Sequence, residues 1–399
     1  MAIPARKRLG LALLLIPFIV ACNSKPVSKR SIRAATPQFL DNQATRPSNP
    51  TKTAVHNNPV VIIDGKSASH NKAAVGISNF EINVARQSCG LSTLADDVEL
   101  EKIAINHANY INYVYANAAP TAFNAHFQHQ ISSIAHVTGN NNPFFSGDGI
   151  KNRLLSANYS KPSYGVSENI AQSIHFNSIG DIVAPNAATL SMTKSLLAAP
   201  YHLRALMQPN LSLLGSSMAA YKPFGKEAST YQGYVLVNYT TATPASKNTT
   251  MNGIFTYPCQ DLTGTVTALY NETPNPFKDK RNLQTNPIGQ PIYINIPSAK
   301  SIKIKQVSFY DVARKREIPT QLLDANQDPY KNTIYELPAN EAFILPLTDH
   351  LKSCERNAKK HENCGLYGNS DYRVSFDVLI DNKRLVTKSF TFKTGNVNY

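Results

Sequence analysis

The sequence predicts an α+β protein made of two successive globular parts, a mixed part followed by an all-β part. Apolar residues recur at helical spacing over residues 100–115, and alternation with a period of two over residues 231–240 is typical of a strand. Beyond residue 258 the apolar runs are short, strand-like and separated by turn residues, without a convincing amphipathic helix. This pattern predicts a β-sandwich over residues 259–399.

The first 22 residues are predicted to be a targeting segment. Three basic residues precede an apolar run over residues 9–20 that is too short to span a bilayer. The run ends in Ile19-Val20-Ala21-Cys22, which resembles a bacterial lipobox. That resemblance implies cleavage before Cys22 and lipidation of Cys22, which would anchor the protein in a lipid bilayer. The alternative is a secreted protein cut after Ala21, whereas Asn23 after the cysteine favours the outer membrane in a cell that has one.

Residues 23–75 are predicted to form a disordered basic tether. They are rich in Pro, Ser, Asn, Thr and Lys and lack sustained periodicity, and the one short apolar run, residues 59–63, is either a strand or unstructured. The chain has a net charge of +14, and its first 75 residues hold eleven basic residues against two acidic ones. This excess near the anchor favours contact with anionic lipids or anionic envelope polymers, the alternative being a merely soluble tether. Nucleic acid is not an expected partner, because no binding motif is present.

The long helix of the first part is expected to begin at Asp96 or Asp97, either of which suits an N-cap. His107 falls on the apolar face of this helix and is expected to line the core or a groove rather than bind a metal. His126 and His129 lie in the connector that follows. Because no acidic or cysteine residue accompanies them there, we expect both to be structural.

Three later runs each carry one side chain suited to metal binding or acid–base chemistry. They are His136 in SIAHVTGNNNPFFSG, Glu168 in SYGVSENIAQS and His202 in AAPYHLRALMQP. A carboxylate and two imidazoles are the groups that a metal site or an acid–base site requires. Taken singly, each is more often structural or solvated.

Taken together, the three runs resemble the bacterial branch of the CAP superfamily (cysteine-rich secretory, antigen 5 and PR-1-like domains). The resemblance covers about residues 79–243. The matching positions are, in order, Ala135-His136, Phe145-Ser146-Gly147, Arg153, Asn158-Tyr159, Glu168-Asn169-Ile170, Pro200-Tyr201-His202, Pro209 and Gly215. The resemblance implies an α-β-α sandwich over residues 76–243, with a His/Glu cluster on an open cavity.

The same resemblance implies that His136, Glu168 and His202 form this cluster. Two departures from the family pattern stand out. The arginine that follows the second histidine in the family is displaced by one place to Arg204. The family's second glutamate has no counterpart, because residues 185–199 contain no acidic residue.

Residues 244–258 are predicted to be a linker between the two globular parts. The second part resembles the immunoglobulin-like module that often follows bacterial CAP domains. The matching pieces are Glu272-Thr273-Pro274-Asn275-Pro276, Leu345-Pro346 and Phe390-Thr391-Phe392-Lys393-Thr394. The second part is therefore expected to be an all-β immunoglobulin-like sandwich.

Lipidation of Cys22 would leave four cysteines, and an even number in an exported protein predicts disulfides. Cys354 and Cys364 lie in one polar loop, and we expect them to pair. Cys89 would then pair with Cys259 and tie the first globular part to the linker. The spacings do not match a four-cysteine zinc site.

The expected function is that of a non-enzymatic, envelope-anchored lipoprotein whose first domain presents a cleft. In that cleft His136, Glu168 and His202 would hold a divalent metal, with Zn²⁺ the expected ion, or organise the floor by hydrogen bonds. One alternative is a hydrolase in which the metal activates water or Glu168 acts as the base. It is less favoured because no nucleophile elbow is present. The other alternative, by family analogy, is a lipid- or sterol-binding module.

Overall fold

The structure, a computed structural model, describes residues 59–161, 165–176, 183–227, 230–247, 251–349, 351 and 365–396. The helices are α1 (Lys72–Ser88), α2 (Val98–Asn117), α3 (Ile150–Ser156), α4 (Pro185–Leu196), α5 (Pro200–Met207) and α6 (Pro244–Lys247). The strands are β1 (Val60–Ile63), β2 (Lys66–Ser69), β3 (Ala95–Asp96), β4 (Val166–Phe176), β5 (Leu213–Tyr221), β6 (Tyr231–Thr241), β7 (Phe255–Tyr257), β8 (Ile292–Asn295), β9 (Ile302–Asp311), β10 (Arg316–Glu317), β11 (Thr320–Asp324), β12 (Glu341–Pro346), β13 (Asp371–Ile380) and β14 (Arg384–Lys393). Within these residues no helix is both long and apolar enough to cross a bilayer.

A hairpin of β1 and β2 precedes the first helix. Ile63 pairs with Lys66, so the turn consists of Asp64 and Gly65, and both have positive φ angles, as a tight hairpin turn requires. Ala68 of β2 is fully buried against the core formed by α2. Residues 59–75, which the sequence assigned to the end of the tether, therefore contain this hairpin and the first residues of α1.

The central sheet of the first domain has the strand order β3-β5-β6-β4 and is antiparallel except for the β3–β5 pair. Alternate residues of β6 face opposite ways. Val235 and Val237 join the core beneath α2, whereas Tyr234 and Leu236 join the core that includes α1, α4 and α5. Helices therefore cover both faces of the sheet, and the α+β class is confirmed.

Helix α2 begins at Val98 because Asp97 caps it. Asp97 is one of the two residues expected to be the N-cap. Its carboxylate accepts hydrogen bonds from the N–H groups of Glu99 and Leu100. The helix crosses β5 at Gly215, where an added Cβ would lie 2.3 Å from the Cβ of Leu100. This close packing holds α2 against the sheet and places His107 over β4 and β6.

The second domain contains two antiparallel four-stranded sheets, β10-β9-β13-β14 and β11-β12-β8-β7. Ile292 and Ile294 of β8 share one apolar core with Val374 and Phe376 of β13, so the two sheets face each other. The predicted linker over residues 244–258 contains α6 and β7, and β7 is the edge strand of one sheet. Strand β7 has only three residues, which are too few to show the alternation that would have predicted a strand here.

The two domains are packed directly against each other. Tyr293 and Phe343 project from the second face of the β8–β12 pair and join the core that contains Leu203 and Leu206 of α5. Strands β8 and β12 are therefore buried on both faces, which explains their continuous apolar runs. Helix α5, which carries His202, is held between the central sheet of the first domain and the second domain.

A disulfide between Cys89 and Cys259 also joins the domains, as predicted. It connects the end of α1 to the residues that follow β7. Closing a chain segment of 170 residues is expected to contribute about 2–5 kcal/mol to the free energy of unfolding. Cys22, Cys354 and Cys364 lie outside the described residues.

Candidate functional site

Glu168 is the centre of a buried polar network on the α2 side of the sheet. It lies on β4 opposite Tyr239 of β6, and its side chain is fully buried. One carboxylate oxygen, Oε2, accepts hydrogen bonds from Arg153 Nη2 at 2.5 Å and from the Tyr239 hydroxyl at 2.5 Å. The other, Oε1, lies 2.8 Å from Nδ1 of His126. Both oxygens of Glu168 are therefore occupied by donors.

Arg153, on α3, supplies the positive charge that compensates Glu168. Its Nε donates to the Tyr239 hydroxyl at 3.0 Å, and its Nη1 donates to the carbonyl oxygens of His126 and Asp148. Burial alone would raise the pKa of Glu168, but the neighbouring His107, Arg153 and His126 outweigh burial and hold that pKa well below its usual range. Glu168 is thus ionised and paired at neutral pH.

His107, on α2, completes the buried side of the network as a neutral imidazole. The N–H of Ser146 donates to Oε1 of Gln128, which leaves the amide Nε2 of Gln128 to donate to His107 Nδ1 at 2.7 Å. The proton of His107 is therefore on Nε2, 3.4 Å from Glu168 Oε2. Burial lowers the pKa of His107 to about 3, and the charge of Arg153 adds to this effect. The expectation that His107 lines the core or a groove agrees with this position.

His126 lies at the partly exposed end of the network, in the connector between α2 and α3. Because an ionised carboxylate can only accept, His126 Nδ1 carries the proton and donates it to Glu168. Its Nε2 has no hydrogen-bond partner among the described residues, and 21% of its side chain is exposed. The ring centroids of His126 and His202 are 6.2 Å apart, so the two imidazoles are neighbours.

His202, on α5, is held in the same way by a different carboxylate. Its Nδ1 lies 3.3 Å from Oε1 of Glu272, a buried residue of the second domain. No partner of its Nε2 is found within the described chain, and 11% of the side chain is exposed. Each imidazole therefore has one nitrogen on a carboxylate and one unbonded nitrogen. We call His126, Glu168, His202 and Glu272 the His/Glu site.

The structure brings together two of the three residues expected from the sequence. Glu168 and His202 both belong to the His/Glu site. His136 does not contact Glu168 and lies exposed in the 3₁₀ segment Ser132–Val137. Its expected place is taken by His126, ten residues earlier in the chain, which had been interpreted as structural.

Sequence reasoning missed His126 and Glu272 for different reasons. His126 reaches Glu168 from a connector without regular structure, whose backbone is held in part by the hydrogen bond from Arg153 to the His126 carbonyl oxygen. Arg153 had been matched to the family pattern, and a basic residue buried beside a carboxylate is the signal that could have located the connector. Glu272 lies 70 residues beyond His202 and in another domain, and no local pattern links the two.

A metal held by His136, Glu168 and His202 does not fit this donor set. The oxygens of Glu168 already accept three hydrogen bonds, and the adjacent charge of Arg153 would repel a cation. In the part of the chain that the structure describes, no group of three or more His, Cys, Asp or Glu residues could hold a metal ion. The donors that remain available are the Nε2 atoms of His126 and His202.

Comparison with known proteins agrees with the architecture of the first domain. Residues 80–239 match the model of the family described as the cysteine-rich secretory protein family, CAP. The chain therefore contains a CAP superfamily domain, which carries three of the four residues of the His/Glu site. No curated protein matches the chain.

Among solved structures, the crystal structure of CopC from Methylosinus trichosporium OB3b is similar with a TM-score of 0.19 and 9% sequence identity. The likeness covers 36% of this chain and 92% of that chain. At this TM-score it carries no argument about fold or function.

Proposed function

We propose that this chain is a non-enzymatic envelope lipoprotein whose CAP domain binds a divalent metal, together with a further ligand, at His126 and His202. One observation carries the proposal. Both imidazoles are neighbours, each is held at Nδ1 by a carboxylate, and each has an unbonded Nε2. Histidines that bind metals commonly donate their other ring N–H to a carboxylate in this way.

Zn²⁺ is the ion that suits this arrangement best, since imidazole nitrogen is one of its preferred ligands. In this proposal Glu168 and Glu272 act as outer carboxylates that orient the two rings. Two protein ligands leave the remaining positions to water or to a bound molecule, so we expect weak and reversible binding. When bound, the ion would supply an open position that accepts an anionic group of a ligand.

Binding is favoured over hydrolysis because of the state of Glu168. A general base needs a free lone pair and a pKa near the working pH. Glu168 does not meet the second requirement, because the charge of Arg153 and the neighbouring hydrogen-bond donors hold its pKa well below the usual range, and its oxygens already accept three hydrogen bonds. The role of Glu168 that agrees with its contacts is to hold His126 and Arg153 in place.

Metal binding at His126 and His202 is tested by isothermal titration calorimetry of purified protein with Zn²⁺. We expect His126→Ala and His202→Ala each to weaken binding at least about tenfold, because each removes one of the two nitrogen donors. His136→Ala is the matched control, as it removes an exposed histidine that makes no contact with Glu168, and its affinity should stay within about twofold of wild type. If only His136→Ala weakened the affinity for Zn²⁺, the metal would not be bound by His126 and His202.

We also propose that Cys22 anchors the protein in the envelope and that the second domain is an immunoglobulin-like spacer. The lipobox-like run before Cys22 and the basic excess of the first 75 residues support the anchor. We expect Cys22→Ser to move the protein from the membrane fraction to the soluble fraction, with loss of the mass of the acyl chains. Unchanged fractionation and mass would contradict the lipid anchor.

A further inference from the structure

We propose that Glu272 of the second domain is the positioning residue of His202, so that both domains are needed to build the His/Glu site. The resemblance to CAP domains left the second glutamate without a counterpart in the first domain. The structure brings a glutamate to the second histidine from 70 residues further along the chain. This inference deepens the proposed function, because it assigns the second domain a part in the site.

Glu272 makes three contacts with the start of α5. Its Oε1 accepts from the N–H of Tyr201 at 2.6 Å, accepts from the N–H of His202 at 3.4 Å, and lies 3.3 Å from His202 Nδ1. Ala199, the N-cap residue of α5, has no side chain to cap the helix. Glu272 therefore supplies from another domain the acceptor that the first turn of α5 lacks.

A capping role alone does not explain a carboxylate at this position. The side chain of Glu272 is fully buried, and no hydrogen-bond partner of its Oε2 is found in the described residues. Burial raises the pKa of Glu272, so the ionised form is disfavoured here by its surroundings. A buried and half-satisfied carboxylate is costly, and within the described residues the one side chain that forms a hydrogen bond or ion pair with Glu272 is that of His202.

The consequence for His202 is a fixed tautomer. An acceptor beside Nδ1 keeps the proton on Nδ1 and leaves the lone pair on Nε2, which is the nitrogen available for binding. A free imidazole favours the opposite tautomer, with the proton on Nε2. Glu272 thus performs for His202 the task that Glu168 performs for His126.

Further contacts between the domains fix the distance between Glu272 and His202. The Tyr201 hydroxyl donates to Asp328 Oδ1 at 3.2 Å, and Arg204 Nε donates to Glu341 Oε2 at 2.7 Å. Both acceptors belong to the second domain, and both donors flank His202 on α5. The arginine displaced by one place from the family pattern therefore serves to clamp α5 onto the second domain.

The test is the tautomer of His202, measured in the full chain by long-range ¹H–¹⁵N NMR, with a His202→Gln spectrum for assignment. Wild type should show His202 almost entirely with the proton on Nδ1. Glu272→Ala should shift neutral His202 to a majority with the proton on Nε2. Glu272→Gln retains a carbonyl acceptor and should restore the wild-type tautomer, while Glu336→Ala, at an exposed glutamate of the same domain, should leave it unchanged.

A Glu272→Ala protein that folds and keeps His202 protonated on Nδ1 would overturn the proposal. If Glu272→Ala does not fold, Glu272→Asp decides, because the shorter side chain retains the charge but moves it away from Nδ1. We expect Glu272→Asp to give a mixture of tautomers, and the unchanged wild-type tautomer would count against Glu272. Because no metal is needed, absence of Zn²⁺ binding would refute the proposed function and leave this measurement valid. Where Zn²⁺ binds, Glu272→Ala should weaken it by about 10–100-fold.

Discussion

Glu168→Gln is expected to lower the free energy of unfolding by about 3–5 kcal/mol at pH 7. The substitution keeps the shape of the side chain but removes the negative charge. The guanidinium of Arg153, which is fully buried, would then have no counter-charge. Removing one partner of a buried ion pair is far more destabilising than removing the whole pair.

The measurement is urea denaturation of wild type and variants, followed by circular dichroism. Glu317→Gln is the matched control, because Glu317 is exposed and accepts a hydrogen bond from the Ser308 hydroxyl that glutamine can also accept. Glu317→Gln should change the free energy of unfolding by no more than about 0.5 kcal/mol. The double variant Glu168→Gln with Arg153→Met should be more stable than the sum of the single losses predicts, since it removes both charges. A loss below about 1 kcal/mol for Glu168→Gln would show that the pair is not an essential part of the core.

This expectation departs from the sequence interpretation, in which Glu168 lay on an open cavity. The residues around Glu168 explain the difference. Sequence patterns placed Glu168 near two histidines, but they did not reveal that Arg153 and Tyr239 would enclose it. Glu168 is enclosed by residues of α3, which precedes it in the sequence, and of β6, which follows it. No sequence pattern relates either element to Glu168.

Local signals were sufficient where one segment determines its own structure. The cap at Asp97 and the alternation that becomes β6 were both found in the described chain. The hairpin of β1 and β2 was missed although its signal was present. Asp64 and Gly65 follow the apolar residues Val60–Ile63, and this dipeptide is a strong indicator of a two-residue turn.

Long-range features were out of reach for a different reason. Glu272 reaches His202 because the second domain packs its β8–β12 face on α5, and that packing depends on side chains spread over both domains. An apolar run such as residues 342–346 indicates a strand buried on both faces, but not what covers the second face. The disulfide was predictable, because few pairings remain among four cysteines.

The second large effect is expected from pH, and it originates in His107. The pKa of His107 is lowered to about 3, first by burial and then by the charge of Arg153, whereas in the unfolded chain it should be about 6.5. Below pH 6.5 the imidazole of His107 binds a proton in the unfolded chain, whereas in the folded protein it stays neutral until the pH approaches 3. Stability due to His107 is therefore complete above pH 6.5 and is lost as the pH falls towards 3, by up to about 1.4 kcal/mol per pH unit.

Other buried groups titrate in the same range, so the prediction concerns a difference between proteins. The lowered pKa of Glu168 adds a loss of stability below about pH 4.5, while the raised pKa of Glu272 acts in the opposite direction above that pH. His107→Gln keeps a polar partner for Gln128 and cannot titrate. Between pH 6.5 and 4.5 the free-energy gap between wild type and His107→Gln should shrink by about 2–3 kcal/mol.

Chemical denaturation at half-unit steps of pH measures this gap. His129→Gln is the control, because it removes a histidine that is 54% exposed, and the pH-dependent change in its stability relative to wild type should be well below that of His107→Gln. If the curves of wild type and His107→Gln run parallel, His107 titrates alike in the folded and unfolded chain, and the buried neutral imidazole beside Glu168 is disproved. If they converge at acid pH, His107 is neutral in the folded protein, and its neutral form stabilises the fold that contains the Glu168 network. Protonation of His107 would then contribute directly to the loss of stability in acid.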